Sequence, residues 1–375
     1  MFVISTNILI MIAVLLLLSI VTPLFSPFAR RVTKLHEGNS DAAETPVSIV
    51  ISVQDNAAQL KNVLDAYLQQ DYENFQIIVV IDENDSSSED LLKLHSADPH
   101  LYYTKLPISS RYLSRKKLAI TLGLRAAKYN WVIVTSVHCK PTHNHWLRAF
   151  ASYMDEEHNL VLGMTPYDKD TSKSLKFAHL RTMLYYLFLA QKKTAFSTNQ
   201  SLVAIKRNDF FEAEGFAGNL QYQRGEFEFL VNKFAKPYQT ALALTPESWL
   251  EHHEPTKKQL VYRLMHNINA QKDMERSTAF RFLSNCDAFI MYLYNVLVIV
   301  TIAVVGLRLE LVPIVLVWLL SYLEAVMLAR RTAKFFGQCS ACAVPFMLFF
   351  ETWRNLGARI KYRCTNKYDF MTHRV

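Results

Sequence analysis

Four residues of metal-ligand type lie close together directly after a strand-like run in the middle of the chain. The run is 131–134, and His138, Cys139, His143 and His145 follow it. Imidazole nitrogens and thiolates are the ligands that zinc prefers, so this segment could hold a metal ion. The spacing matches no standard zinc finger, however, and His143 and His145 would point apart in an extended segment. The alternative interpretation is a set of loop histidines beside a basic crevice.

Polar and acidic residues also follow the strand-like runs. Asp55 comes shortly after 47–53, Asp82 directly follows 75–81, and Ser136 follows the run described above. Ligands of open α/β sheets bind beyond the carboxyl ends of the strands, so we expect these residues to surround one crevice. An acid at a strand end can accept hydrogen bonds from a base or a ribose. For Asp82 the alternative interpretation is a helix or turn cap.

The elements that must position these residues alternate between strands and helices. Short runs of β-branched and aliphatic residues predict buried strands at 47–53, 75–81 and 131–135. The helical spacing of apolar residues predicts helices at 56–70, 88–95 and 116–128. This alternation predicts an α/β domain with helices on both faces of its sheet.

Three apolar stretches are long enough to cross a bilayer, because about 20 apolar residues span its hydrocarbon core. They are 1–29, 288–307 and 311–329. A cleavable signal peptide is the alternative for the first, but the basic start that it needs is missing. Basic residues follow the first and third stretches, so the positive-inside rule places the middle of the chain in the cytoplasm. For the shorter, interrupted run 335–350 we expect an interfacial or re-entrant segment rather than a fourth span.

Composition narrows the class of protein further. The 375 residues are 51% hydrophobic and carry a net charge of +8, and no run of basic residues is interleaved with aromatics. We therefore expect no nucleic-acid partner. The five cysteines are odd in number and lie mostly in or near apolar segments, which fits reduced thiols. Segment 174–191 predicts an amphipathic helix on the membrane surface, with a core helix of the domain as the alternative.

Several motifs, taken in order, resemble family 2 glycosyltransferases of the GT-A fold. Segments 46–53 and 72–82 look like the opening of that family. Segment 116–127 is similar to its Lys-x-x-Ala-Leu-x-x-Gly motif, and 199–207 and 225–233 resemble its acceptor-side and Gly-Asp-Asp-Glu-Phe-Leu motifs. The order of these motifs is more specific than any one of them. The anchor and the carboxy-terminal hairpin match the layout of many bacterial members.

The resemblance implies a nucleotide-sugar-binding domain with a Rossmann-like mixed sheet, flanked by transmembrane helices. It also implies Mg²⁺ or Mn²⁺, held by two aspartates, to neutralise the donor's diphosphate. A carboxylate then deprotonates the acceptor hydroxyl. By residue-for-residue match, Asp82 would contact the nucleoside, with Asp55 and Lys116 also at the nucleotide. Glu226 is the candidate catalytic base.

The chain departs from the family pattern at four places. The metal-binding pair reads Ser136 and His138, which leaves His138 as the one candidate metal ligand and argues against a normal metal site. Phe227 stands at the position of the base aspartate. Arg263 and His266 occupy the place of a helix motif that grips the diphosphate, and we expect these cations to bind it. The fourth departure is Asp-Asn for Asn-Glu after the first strand.

Two hypotheses of different classes follow. The first is a glycosyltransferase that transfers a sugar from a nucleotide sugar to a lipid-linked or surface glycan acceptor. The second is a pseudo-glycosyltransferase that kept the fold, lost the chemistry and serves as scaffold or partner of an active membrane transferase, because fold does not imply function.

The predicted organisation has five parts. In chain order they are a transmembrane anchor (1–29), a linker (30–45), a GT-A-like domain (46–280), a transmembrane hairpin (286–330) and an interfacial or re-entrant segment with a basic tail (335–375). The combination predicts a multi-pass protein of the bacterial inner (cytoplasmic) membrane, with the domain facing the cytoplasm.

Overall fold

The computed structural model describes residues 6–30, 45–54, 56–107, 114–220, 222–253, 274–305 and 311–364. The chain divides into two compact units. The helical unit contains the described parts of Met1–Val32, Ser172–Phe188 and Ser277–Cys364. The sheet unit contains the described parts of Thr33–Thr171 and Leu189–Arg276.

Short strands make up the sheet unit's framework. Within the described residues they are β1 (Val47–Ser52), β2 (Phe75–Asp82), β3 (Leu101–Leu106), β4 (Trp131–Ser136), β5 (Cys139–Pro141), β6 (Leu160–Leu162), β7 (Leu202–Lys206), β8 (Thr240–Leu242) and β9 (Leu250–His252).

Helices connect these strands and form the helical unit. Within the described residues they are α1 (Thr6–Phe25), α2 (Ala57–Leu68), α3 (Ser86–Leu94), α4 (Arg115–Ala126), α5 (Trp146–Ala151), α6 (Lys173–Lys192), α7 (Arg207–Glu212), α8 (Glu226–Phe234), α9 (Ser277–Val305), α10 (Leu311–Phe336) and α11 (Val344–Cys364).

The main sheet has seven strands among the described residues, in the order β3-β2-β1-β4-β7-β6-β8. The first four run parallel, and β7 is antiparallel to its neighbours β4 and β6. Every residue of β1 and β4 is buried, as the continuous apolar runs predict for parallel strands covered on both faces. The predicted α/β class with a mixed sheet is therefore confirmed.

Gly123 lets α4 lie close to the sheet. A Cβ atom at this position would collide with the side chain of Val50 in β1. The glycine of the Lys-x-x-Ala-x-x-x-Gly segment thus has a packing role, since only glycine fits between the helix and the strand. This close approach fixes the amino-terminal end of α4, which carries Arg115, Lys116 and Lys117, near the carboxyl ends of the strands.

In the helical unit, α1, α9 and α10 pack through an apolar cluster that contains Ile8, Leu15, Ile314 and Val317. Three helices among the described residues are long and apolar enough to cross a membrane: Thr6–Phe25, Ser277–Val304 and Val312–Phe336. They coincide with the three predicted apolar stretches, and the second and third extend well beyond the predicted limits. The chain is therefore consistent with membrane association.

The run 335–350 differs from the expected single segment. Helix α10 continues through Phe336, and α11 begins at Val344 and extends into the basic tail as far as Cys364. The sequence pattern did not assign a helix to the part of α11 that lies in the basic tail, because basic and apolar residues alternate there and form no clear apolar run. The interfacial placement of this segment stays a prediction.

Helix α6 coincides with the predicted amphipathic segment 174–191, and buried side chains along it include Phe177, Leu180 and Leu184. Arg181 forms ion pairs with Asp287 of α9 and, at 3.6 Å, with Glu351 of α11. The Tyr185 hydroxyl donates to the same Asp287 carboxylate at 2.6 Å. These buried, paired charges tie the three helices together, since each would be costly to bury alone.

Candidate active site

The carboxyl ends of β1, β2 and β4 meet at one edge of the sheet. Ser52 of β1 lies opposite Val80 of β2 and opposite Ser136 of β4 in the strand register. Asp82 is the last residue of β2. The expectation that Asp82 and Ser136 lie at a common sheet edge is therefore correct for the described residues. Ser52 Oγ is buried there without a hydrogen-bond partner among them.

Asp82 forms an ion pair with Arg115, the first residue of α4. Its Oδ1 atom accepts hydrogen bonds from Arg115 Nη2 at 2.6 Å and from Nε at 3.1 Å. The cap of α3 is a different acid, because Asp85 accepts from the backbone N–H of Ser88 at 3.0 Å and from its hydroxyl at 2.6 Å. The Asp82 carboxylate is thus held by an arginine at the strand end and does not cap the helix.

Lys116 and Glu226 form an ion pair between the amino-terminal ends of α4 and α8. Glu226 is buried, with a side-chain exposure of 8%. Burial alone would raise the pKa of its carboxyl group, but the charge and hydrogen bond of Lys116 lower that pKa to about 2. A carboxylate with so low a pKa is a poor proton acceptor at neutral pH. While this pair persists, Glu226 is therefore a weak base.

Lys117 is fully buried and holds the chain segment that precedes α8. Its Nζ donates to the carbonyl and side-chain oxygens of Asn219, at 2.8 Å and 2.6 Å, and to the carbonyl of Tyr222 at 2.6 Å. Ser114 Oγ donates to the carbonyl of Gln223 at 2.8 Å. Burial lowers the pKa of Lys117 to about 8, despite nearby glutamates that raise it. The start of α4 therefore fixes the position of Glu226.

The end of β4 carries Ser136 and His138. The hydroxyl of Ser136 accepts from the backbone N–H of His138 at 3.3 Å, and the carbonyl of His138 accepts from His253 N at 2.9 Å. The rings of His138 and His252 are nearly parallel, with centroids 6.2 Å apart. Burial, and then the positive charge of Lys116, lower the pKa of His138. Both effects favour the neutral form of the His138 imidazole.

These residues do not fit a divalent magnesium or manganese ion. Both metals prefer several oxygen ligands, usually carboxylates. The β4 end offers one hydroxyl and one imidazole, and the ammonium of Lys116 adds positive charge beside them. Among the residues that the structure describes, no group of three or more His, Cys, Asp and Glu could hold a metal ion. His138 remains a single candidate ligand without companions in that part of the chain.

The zinc interpretation of the histidine run finds no support in the same described residues. Cys139 is buried within β5, whereas His145 is exposed and pairs with Asp71, with 3.3 Å between Nδ1 and Oδ2. His143 precedes α5 on the same loop. The segment therefore does not gather its four side chains around one point, and the loop interpretation describes it better.

Three predicted nucleotide-site residues lie outside the described residues: Asp55, Arg263 and His266. Arg115 and Lys117, in contrast, belong to the site and were not predicted. Both stand in the motif segment beside Lys116, but their partners lie far away in sequence. Lys117 and Asn219 are 102 positions apart, so no local sequence pattern predicts their contact.

The described residues thus form a mixed α/β sheet with Asp82 at the carboxyl end of β2 and Ser136 at that of β4. Residues 48–212 match the family model "Glycosyl transferase family 2". This segment therefore resembles family 2 glycosyltransferases, and the sheet unit has the GT-A fold that the resemblance implied. No curated protein sequence matches the chain.

Solved structures include two similar glycosyltransferases, of which the first supports the fold. The mannosyltransferase PcManGT from Pyrobaculum calidifontis, solved with GDP-Man and Mn²⁺, has a TM-score of 0.60 and 14% identity, over 95% of this chain and 99% of that chain. TarS 1-349 from S. aureus, solved with UDP-GlcNAc, has a TM-score of 0.45 and 9% identity, over 85% of this chain and 92% of that chain.

Proposed function

We propose that the protein is a membrane-associated glycosyltransferase that takes a sugar from a nucleotide-sugar donor and stabilises the leaving diphosphate with basic side chains. The observation that carries the proposal is the position of Lys116. Its ammonium pairs with Glu226 and acts electrostatically on His138, at the place where the family pattern has metal-binding aspartates. A fixed cation can stabilise a leaving diphosphate as a metal ion does. The complex of PcManGT with GDP-Man supports a nucleotide sugar as the ligand of this fold.

The other site residues have separate roles in this proposal. Asp82, oriented by Arg115, accepts hydrogen bonds from the base or ribose. The neutral His138 donates a hydrogen bond to the diphosphate. Arg263 and His266 supply further positive charge, and Asp55 completes the nucleotide site. Mn²⁺ or Mg²⁺ would bind here only weakly, through His138.

Glu226 becomes an effective base only when its ion pair opens. A donor diphosphate attracts Lys116 away from Glu226, and the pKa of the freed carboxylate then rises toward that of a buried acid. Glu226 takes the proton of the acceptor hydroxyl as the acceptor oxygen attacks the anomeric carbon. The bond from that carbon to the diphosphate oxygen breaks, and Lys116 neutralises the charge that appears there.

The helical unit supports the proposed acceptor and setting. Three helices able to cross a bilayer favour a lipid-linked or surface glycan acceptor at the inner membrane, with the sheet unit on the cytoplasmic side. A partner transferase belongs to the alternative proposal, in which the protein is a pseudo-glycosyltransferase. The observation that favours this alternative is the same lack of a metal-ligand group among the described residues.

A transfer assay tests the proposal. Full-length protein in membranes is incubated with radiolabelled UDP- and GDP-sugars, in EDTA or in Mn²⁺, and the lipid extract and the polymer fraction are counted. We expect label in one of these fractions in EDTA, and none for Glu226→Gln. Label that requires Mn²⁺ would contradict the cation-based site. No label from any donor, with normal folding, would favour the pseudo-glycosyltransferase.

A further inference from the structure

The helical unit encloses a cavity that the proposed transfer reaction does not use. Its volume is about 420 Å³, within the range of small-molecule binding sites. It lies among α1, α9, α10 and the start of α11, and most of its surface is apolar. Because three of these helices can cross a membrane, the cavity opens among groups that the bilayer would surround.

Polar side chains project into this otherwise apolar space. Glu324 of α10 accepts a hydrogen bond from Ser19 of α1, with 2.8 Å between Oγ and Oε2. Asn295 of α9 lines the same cavity. Ionisable and amide groups within membrane helices are costly, so they face a protein interior or a ligand and not the lipid tails. The polar side chains therefore indicate that the cavity is a binding site and not a packing defect between apolar helices.

Asn295 has a hydrogen-bonding capacity that the described residues do not fill. The residue is only 6% exposed, and its Nδ2 atom has no hydrogen-bond partner among them. A buried amide donor without an acceptor is unfavourable, and more so where bulk water is absent. A ligand that places an oxygen in the cavity would satisfy it.

The charge of the residues that line the cavity favours an uncharged ligand. Among the described residues that line the cavity, Glu324 is an acid, and none is a lysine, arginine or histidine. A phosphate group would meet a carboxylate and no cation, which disfavours an anionic lipid. A hydroxyl or an ester carbonyl carries no charge and can accept from the amide of Asn295.

We propose that this cavity binds one chain of a neutral lipid, with a hydroxyl or carbonyl oxygen of that lipid accepting a hydrogen bond from Asn295 Nδ2. The apolar lining holds the hydrocarbon chain, and the Ser19, Glu324 and Asn295 side chains hold its oxygenated end. The site is independent of the donor chemistry in the sheet unit, so either proposal can fail without the other.

Photolabelling of the full chain in nanodiscs tests this proposal. The probe is a monoacylglycerol with a diazirine in its acyl chain, and the comparison is lysophosphatidic acid with the same chain, which adds only the phosphate. We expect the monoacylglycerol to label cavity-lining residues of α9, α10 and α11, and unlabelled monoacylglycerol to compete. Equal labelling of these residues by the phosphate-bearing probe would overturn the neutral-lipid assignment.

Two variants of α10 give the matched control. Ala325 lines the cavity, whereas Met327 is 75% exposed on the same helix. Ala325→Trp should fill the cavity and reduce labelling about tenfold, and Met327→Trp should leave it unchanged. Asn295→Val removes the amide donor with a smaller change in volume and should also reduce labelling by the monoacylglycerol, which keeps the test available if Ala325→Trp does not fold. Equal labelling of all variants would show that the probe samples only the outer lipid-facing surface.

Discussion

The carboxyl ends of β2 and β4 differ in which elements supply their charged side chains. At the β2 end, Asp82 is part of the strand and Arg115 neutralises it. At the β4 end, Ser136 is the last residue of the strand and His138 lies in the turn after it, and the nearby charges come from two helices, Lys116 of α4 and Glu226 of α8. The β2 end thus has an acid within the strand, whereas the ion pair near the β4 end comes from two helices. The acid at β2 can be located from the strand sequence, while the charges near β4 depend on how distant helices fold back.

The largest effect on stability is expected from substitution of Lys117, which holds the chain segment that precedes α8. Lys117→Met leaves the oxygens of Asn219 and Tyr222 without their buried donor, which should cost about 3 kcal/mol of unfolding free energy. The melting temperature of the full chain in detergent should fall by about 6–12 °C. Lys128→Met, at an exposed lysine two residues after α4, should leave it unchanged. An equally small effect for both would mean that the β4 end does not depend on this lysine.

Acid should weaken the β4 end through Glu226. The pKa of this group is about 2 in the folded protein and 4.5 ordinarily, so its ion pair stabilises the fold above pH 4.5. That contribution, about 3 kcal/mol, is lost as the pH falls from 4.5 toward 2. Thermal melts at pH 5.5 and pH 3 should show a smaller drop in Glu226→Gln than in the wild type. Parallel drops would contradict the buried ion pair.

Variants at the two ends should separate nucleoside from diphosphate contacts. Asp82→Asn should weaken UMP and UDP binding alike. Lys116→Gln should weaken UDP binding by about tenfold to hundredfold and leave UMP almost unchanged, because a charge-assisted hydrogen bond to the second phosphate is lost. Calorimetric titration of each variant measures its affinities for UMP and for UDP. Identical losses for the two nucleotides at Lys116 would remove the distinction between the ends.

Restoring acids to the β4 end should make it resemble the family pattern. Ser136→Asp combined with His138→Asp should add oxygen ligands, so that Mn²⁺ raises UDP or GDP affinity by about tenfold. Phe227 is left in place, because this side chain is 3% exposed and an aspartate there would be buried. The matched control is Ser96→Asp, at an exposed serine just after α3 and away from these strand ends. No effect of Mn²⁺ on the double variant would mean that the crevice lacks room for a metal.

The sequence predicted the sheet and its edge because strand periodicity and strand ends are local features. Asp82 and Ser136 were placed together correctly for that reason. Arg115 and Lys117 were missed because the reach of a long side chain depends on how distant segments fold back, as the Lys117 to Asn219 contact shows. The pairing of Glu226 with Lys116 was missed for the same reason. Asn295 was missed because it lies within a long apolar run, and its position beside a cavity depends on the packing of α1, α9, α10 and α11.

The most direct test of the cation-based site is a calorimetric titration of the detergent-purified full chain with UDP and GDP, with and without Mn²⁺. At least one nucleoside diphosphate should bind. Mn²⁺ should leave its affinity unchanged, and Lys116→Gln should weaken its binding. Binding that appears only with Mn²⁺ would contradict the account, because the β4 end would then hold a metal despite Ser136 and His138.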